Sequence, residues 1–222
     1  MVARRAKSVI RPAGRPRKKP GAPIHRPVTE QTGYAEALNW TRAVAHARAI
    51  LLRPMTVSIT VQWRFAPSSM PEPNRVTAFL NVMGGWLRYR THKPPVWAYA
   101  RESASRKGVH LHLMVHVPPE LIEDFTAAVP GWIKAKADSY RDDAVDVTPI
   151  RPGTFDTLQS YFLKDGEDRV HEAFGVLPTH RAKRSGYPVP GKRMRVSHSI
   201  DATARSRHAK PPLSVLDTQE RH

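Results

Sequence analysis

The chain has 222 residues, 40% of them hydrophobic, with 21 prolines and no cysteine. That length is enough for one domain with a real core, and the lack of cysteine excludes a disulfide framework and thiolate metal sites. The net charge of +17 sits at the ends: residues 1–29 hold nine Lys/Arg and no acid, residues 30–168 hold 16 basic and 15 acidic residues, and residues 169–222 hold 11 basic and four acidic ones.

Two basic ends on a near-neutral middle point to a polyanionic partner, most often nucleic acid. No apolar run approaches the roughly 18 residues a membrane span needs. The N-terminus lacks the apolar core of a secretory signal. The expectation is a soluble, cytoplasmic protein with no membrane partner.

Residues 1–29 are rich in Pro, Gly, Arg and Lys and have little to bury, so they read as a disordered basic arm, with Arg15, Arg17, Lys18 and Lys19 as a cluster for phosphates. Residues 30–52 carry apolar residues near helical spacing, with Thr29 as a possible cap and Pro54 beyond the end. Residues 55–63, MTVSITVQW, alternate Val57, Ile59 and Val61 with Ser58, Thr60 and Gln62, which is a strand. After a loop, residues 75–92 read as a helix weakened by Gly84 and Gly85. Residues 96–103 and 109–117 read as two strands of a hairpin, with Arg106 and Lys107 in its short turn. Residues 120–140 read as a helix interrupted near Pro130 and Gly131, and residues 144–150 as a strand. Residues 154–166 read as a short helix with Thr154 or Asp156 near its cap and Gly166 at its end.

Leaving out the first helix, the order is strand-helix-strand, strand-helix-strand, helix. That order predicts an α+β fold, a ferredoxin-like antiparallel sheet with helices on one face. The predicted organisation is the basic arm over 1–29, one folded domain over 30–168 and a basic, largely irregular extension over 169–222. In that extension Lys183, Arg184, Lys192 and Arg193 are further phosphate-binding candidates, and RMRVSHSI is a possible short strand.

The strand VHLHLMVHV carries the most specific chemistry. Residues two apart on a strand share a face, so His110 and His112 project side by side while Leu111, Leu113 and Val115 face the core. Neutral imidazole is the commonest protein ligand for divalent metals. His116 shares the face but lies roughly 20 Å from His110 along the strand, too far for the same ion. Glu102 on the partner strand can reach either histidine, and a carboxylate with two imidazoles makes an open three-ligand site. Taken singly, the histidines also fit a wet sheet face, and Glu102 also fits a surface acid facing Arg101 or Arg106. Downstream, YFLK places Tyr161 and Lys164 three apart, on one face of a helix.

Together these parts resemble the HUH endonucleases, which include rolling-circle replication initiators and related single-strand transposases and relaxases. HLHLMV satisfies the family's pattern of His-hydrophobic-His followed by three hydrophobics, and YFLK its downstream Tyr-x-x-Lys. MTVSITVQW fits the first family motif loosely, and the matched span runs over residues 55–164. The resemblance implies that His110, His112 and Glu102 hold one Mg²⁺ or Mn²⁺, with Glu120 and Asp143 as substitutes for the third ligand. It implies that Tyr161 attacks a phosphate of single-stranded DNA at a replication origin, leaving a 5′-phosphotyrosine and a free 3′-hydroxyl, with Lys164 stabilising charge. Thr157 and Leu158 stand where a second tyrosine of the two-tyrosine branch would be, and Tyr140 and Tyr187 are distant in sequence, so the chain resembles the one-tyrosine initiators. No nucleotide-binding glycine loop is evident, so strand separation falls to a host helicase.

Trp63, Trp97 and Tyr99 are candidates to stack an unpaired base or to pack in the sheet. The rival readings are a non-catalytic nucleic-acid-binding module and a transposase or relaxase with the same chemistry. A phosphoesterase with paired His-x-Thr/Ser motifs fails on sequence, because His110 is followed by His112 and His112 by Met114.

Overall fold

The computed structural model describes residues 28–104, 108–183 and 187–209. In chain order the elements are β1 (Val28–Thr29), α1 (Tyr34–Ala49), β2 (Val57–Gln62), α2 (Glu72–Thr91), β3 (Trp97–Ala104), β4 (Gly108–Val115), α3 (Ile122–Lys134), β5 (Val145–Pro149), α4 (Phe155–Phe162), α5 (Asp168–Ala173), α6 (Pro178–Arg181), β6 (Val189–Pro190), β7 (Met194–Val196) and α7 (Ala202–Ala209).

Strand alternation sets the architecture. Val57, Ile59 and Val61 of β2 and Leu111, Leu113 and Val115 of β4 are fully buried on one face. They form one core with Phe79 and Met83 of α2 and Phe125, Val129 and Ile133 of α3. Fully burying such a side chain contributes about 1.5–3 kcal/mol. Every ladder of the five-stranded sheet is antiparallel, and the strand order is β5-β2-β4-β3-β7. A separate two-stranded ladder joins β1 to β6.

The sheet carries helices on both faces, which corrects the expectation of one helical face. Ala98, Ala100 and Met114 share the histidine face, and they form a second core with Trp40, Ala43 and Val44 of α1 and with Phe162, Leu163 and Val170. The small side chains of Ala98 and Ala100 leave room for this layer. Read from one strand, the histidines suggested a wet face, but the alanines beside them let α1 come down on the same surface.

The C-terminal extension is also more ordered than expected over its described residues. Met194 of β7 pairs with Ala100 on β3 and is buried. The main chain N–H of Met194 donates to Glu36 Oε1 on α1 at 2.9 Å. Around this strand the region forms α5, α6, β6 and α7, and Arg205 of α7 donates to Asn39 Oδ1 at 2.8 Å. Burial raises the Glu36 carboxyl above its ordinary range, opposed by the Met194 N–H and by Lys192 and Arg193.

Two helices differ in detail. α3 runs through Pro130 without a break. α1 begins at Tyr34, whose N–H is accepted by Glu167 Oε1 at 2.9 Å, a cap supplied from far along the chain in place of Thr29. Glu167 follows Gly166, where a side chain does not fit: an added Cβ would lie 2.7 Å from Val170 Cβ and 3.0 Å from the Leu163 carbonyl. Gly166→Ala is therefore expected to cost about 1–3 kcal/mol, as overpacking does. Urea unfolding checks this, and an unchanged midpoint would show that α5 can move aside. No helix among the described residues is long and apolar enough to cross a membrane.

Candidate active site

The hairpin register brings the predicted ligands together. Glu102 on β3 pairs directly with His110 on β4, and Ala100 pairs with His112. Thr60 and Gln62 of β2 lie opposite His112 and His110 on the other side. A methyl at position 100 leaves space beside His112 for the longer side chain of Glu102. The result is that Glu102 Oε1 reaches Nε2 of both histidines, at 2.8 Å from His112 and in close contact with His110. All three residues are buried, and their donor atoms lie within 4.8 Å of one another.

A contact on the far side of each ring orients it. His110 Nδ1–H donates to the Gly108 carbonyl at 3.2 Å, and a carbonyl can only accept. That turns Nε2 of His110 toward the Glu102 carboxylate. Gly108 takes φ +66, which suits glycine, and so brings its carbonyl under the ring. His112 Nδ1 lies 3.2 Å from Thr60 Oγ1, placing its Nε2 likewise toward Glu102. Two imidazole nitrogens and a carboxylate oxygen converging in a buried space could hold a cation between them. Two imidazoles and one carboxylate are a donor set a divalent ion accepts, so the residues present fit a metal.

Lys164 supplies a second cationic group, ion-paired with Glu102 Oε2. α4 ends at Phe162, so Lys164 stands in the turn after the helix, where its N–H donates to the Tyr161 carbonyl at 3.3 Å. The turn is pinned by His171 Nε2–H donating to the Lys164 carbonyl at 3.0 Å. The ammonium lies 4.0 Å from the centre of the Tyr161 ring. Burial lowers the Lys164 ammonium to about 8, with Asp165 opposing the shift and Arg193 and Lys183 adding to it.

Tyr161 is half-buried, with the His112 ring against it at 5.2 Å and 87°. Burial raises its phenol above the ordinary value, and Asp165 raises it further, so the phenol is protonated at neutral pH. A cleft of about 590 Å³ opens onto this group. Its walls are Ser58, Thr60 and Gln62 of β2, Asp146 and Thr148 of β5, His110, His112, and Thr157, Leu158 and Tyr161 of α4, with His180 from α6. Sequence reading missed His180 and Thr60 as neighbours of the site. Thr60 sat in plain view as the polar residue of a strand, but nothing in the sequence around His180 distinguished it.

The remaining candidates separate clearly. Glu120 and Asp143 lie outside the cluster, and Asp143 is paired with Arg141. Tyr140 packs against the α2/α3 core and Tyr187 is 45% exposed, and neither lines the cleft. His116 stands beyond the end of β4, with its Nδ1–H donating to the Pro54 carbonyl at 2.7 Å. Trp63 and Tyr99 are buried, and Trp97 stacks on Tyr99 at 5.8 Å, so these aromatics pack in the sheet.

Among the basic candidates, Lys183 and Lys192 are exposed. Arg15, Arg17, Lys18, Lys19, Arg106, Lys107 and Arg184 lie outside the described residues. Arg193 is a correction: it is fully buried and cannot reach solvent phosphates. Its Nη1 donates to Asp165 Oδ2 at 3.0 Å and its Nε to the Thr29 carbonyl at 3.2 Å. A buried acid three residues past the end of α4 claimed it, a pairing that one-dimensional charge counting cannot see.

Comparison of the chain with protein-family models, with curated proteins and with solved structures gives no match.

The donor set makes a direct prediction. Mn²⁺ at a hundredfold excess over its dissociation constant is expected to stabilise the protein by about 2.7 kcal/mol, a rise of about 5–10 °C in melting temperature for a chain of this size. His112→Ala should lose the rise. An equal rise in that variant would place metal binding elsewhere.

Proposed function

We propose that this protein is an HUH-type endonuclease, with a ferredoxin-like core, that nicks and rejoins single-stranded DNA through a 5′-phosphotyrosine. The observation that carries this reading is the convergence of His110, His112 and Glu102 with Tyr161 and Lys164 beside one cleft, which His110, His112 and Tyr161 line. The βαββαβ run from β2 to β5 supports the ferredoxin-like part, because its four strands lie in the order β5-β2-β4-β3 with α2 and α3 in the core on one face.

In this mechanism Tyr161 Oη attacks phosphorus while the bond to the 3′-oxygen breaks, and the phenol proton is passed on, ending on the departing 3′-hydroxyl. His110, His112 and Glu102 would hold Mg²⁺ or Mn²⁺, which supplies Lewis-acid polarisation of the phosphate and offsets its developing charge. Lys164 holds a positive charge beside both the phenol and Glu102, favouring the phenolate as it forms. The Thr60 hydroxyl and the Gly108 carbonyl keep the two imidazoles oriented. Attack of a 3′-hydroxyl on the phosphotyrosine reverses the step and rejoins a strand.

The biological role that follows is initiation of rolling-circle replication of a plasmid, phage or integrated element, with a host helicase opening the duplex. The basic ends would hold the DNA through phosphates, with strong salt dependence. The test is incubation of the full chain with pooled single-stranded DNA, including the intergenic DNA of the encoding element, in Mn²⁺ or Mg²⁺. A covalent adduct on a denaturing gel, absent in EDTA, is the expected result. DNA binding with no adduct under either metal would replace this reading with the non-catalytic binding module.

A further inference from the structure

His180 is one of the polar residues of the cleft that the mechanism above leaves without a task. It stands on α6, distant in sequence from both motifs, and is only 8% exposed. Its ring lies against the Tyr161 ring at 5.6 Å and 85°, so Tyr161 sits between His112 and His180.

A short relay sets its tautomer. The Leu177 N–H donates to Ser160 Oγ at 2.8 Å, and Ser160 Oγ lies 2.9 Å from His180 Nδ1. Ser160 Oγ already accepts the Leu177 N–H, and we assign its own hydrogen to His180 Nδ1, the acceptor within reach among the described residues. Nδ1 therefore accepts, and the neutral ring carries its proton on Nε2. Among the described residues Nε2 has no hydrogen-bond partner of its own. An N–H on a residue that lines a cleft beside a nucleophile is placed to meet a ligand. Burial lowers the imidazole below its ordinary value, and the charges of Lys183 and Lys164 add to this. The ring is thus neutral at pH 7, with two cations nearby that suit an anion.

We propose that His180 donates its Nε2–H to a phosphate oxygen of the single-stranded DNA in the cleft, at or next to the phosphate that Tyr161 attacks. This rests on the nuclease reading above. His180 is a substrate-binding residue here. It is not a base, because the lone pair a base would need is on Nδ1 and is taken by Ser160.

Three variants of the full chain separate donor from packing. His180→Phe keeps a ring against Tyr161 and removes the donor. His180→Gln places an amide N–H near the position of Nε2, and His180→Asn places one near Nδ1. Adduct formation in Mn²⁺ at subsaturating DNA should fall by about ten- to a hundredfold in His180→Phe, the loss of one hydrogen bond to a charged group. His180→Gln should recover most of the rate and His180→Asn should not. If the phenylalanine variant fails to fold, the contrast between glutamine and asparagine carries the test. Wild-type rates in His180→Phe, or equal losses in the glutamine and asparagine variants, would overturn the proposal and leave the nuclease reading standing.

A second readout covers the case in which the wild type forms no adduct. The imidazole ring signals of the full chain are followed by NMR in EDTA during titration with a random-sequence single-stranded oligonucleotide. A protonated Nε2 on His180 that shifts on titration supports the phosphate contact although the nuclease reading has fallen. A His180 signal that does not move ends both.

Discussion

Tyr161→Phe is expected to abolish the covalent protein–DNA adduct while leaving the fold intact. The substitution removes one oxygen, and that oxygen is the atom to which phosphorus would be joined. The rest of the ring keeps its contacts with His112, His180 and the Lys164 ammonium. Among the described residues the hydroxyl makes no hydrogen bond, so its loss leaves no partner unsatisfied. The melting temperature should therefore stay near that of the wild type, as should DNA binding through the basic ends. Lys164→Met probes the next layer. It removes the cation facing Glu102 and the phenol, and a charge stabilised only in the transition state is worth about 10²–10³ in rate. His112→Ala should lose the adduct and the metal-induced thermal shift together. A gel in which Tyr161→Phe still forms the adduct would move the nucleophile to another residue, with Tyr140 and Tyr187 next in line. An adduct that persists in His112→Ala and EDTA would remove the metal from the chemistry.

Much of this site was legible in the sequence because it depends on short-range periodicity. Alternation on β4 puts His110 and His112 on one face whatever the rest of the chain does, and a short hairpin brings Glu102 of β3 within reach of either, the choice of His110 coming from the observed register. Glu102 beside His110 is a consequence of register, and register follows from the length of the turn. Tyr161 and Lys164 stay together even though α4 stops between them, because the chain continues in a tight turn. What was not legible depends on pairs far apart in sequence. The layer of α1 on the histidine face follows from Ala98 and Ala100 being small, which means nothing until α1 is known to carry Trp40 and Ala43 to that place. The β7 strand lies within RMRVSHSI, where a short strand was expected, but three residues say nothing of which strand they pair with, and that partner is β3. His180 enters the cleft only because α6 folds back onto Ser160.

Arg193 is the sharpest case, and its prediction separates charge counting from structure. As part of a solvated basic extension, Arg193→Met would weaken DNA binding slightly, flatten its salt dependence and leave stability alone. In the structure the guanidinium is fully buried and ties four segments together: Asp165 after the Tyr161–Lys164 turn, the Thr29 carbonyl on β1, the Tyr187 carbonyl, and the Arg101 carbonyl next to Glu102 at 3.4 Å. Removing one member of such a buried pair costs about 3–5 kcal/mol. Arg193→Met is therefore expected to lower the urea midpoint severely. Because Arg193 braces the residues flanking both Glu102 and Lys164, the metal-induced thermal shift should shrink with it. The double variant Arg193→Met/Asp165→Asn should be less destabilised than Arg193→Met alone, since the stranded carboxylate is gone. A cost below about 1 kcal/mol, the worth of an exposed ion pair, would return Arg193 to the surface and to the phosphates. A double variant no better than the single one would mean that the carbonyl contacts, and not the charge on Asp165, are what hold the guanidinium in place.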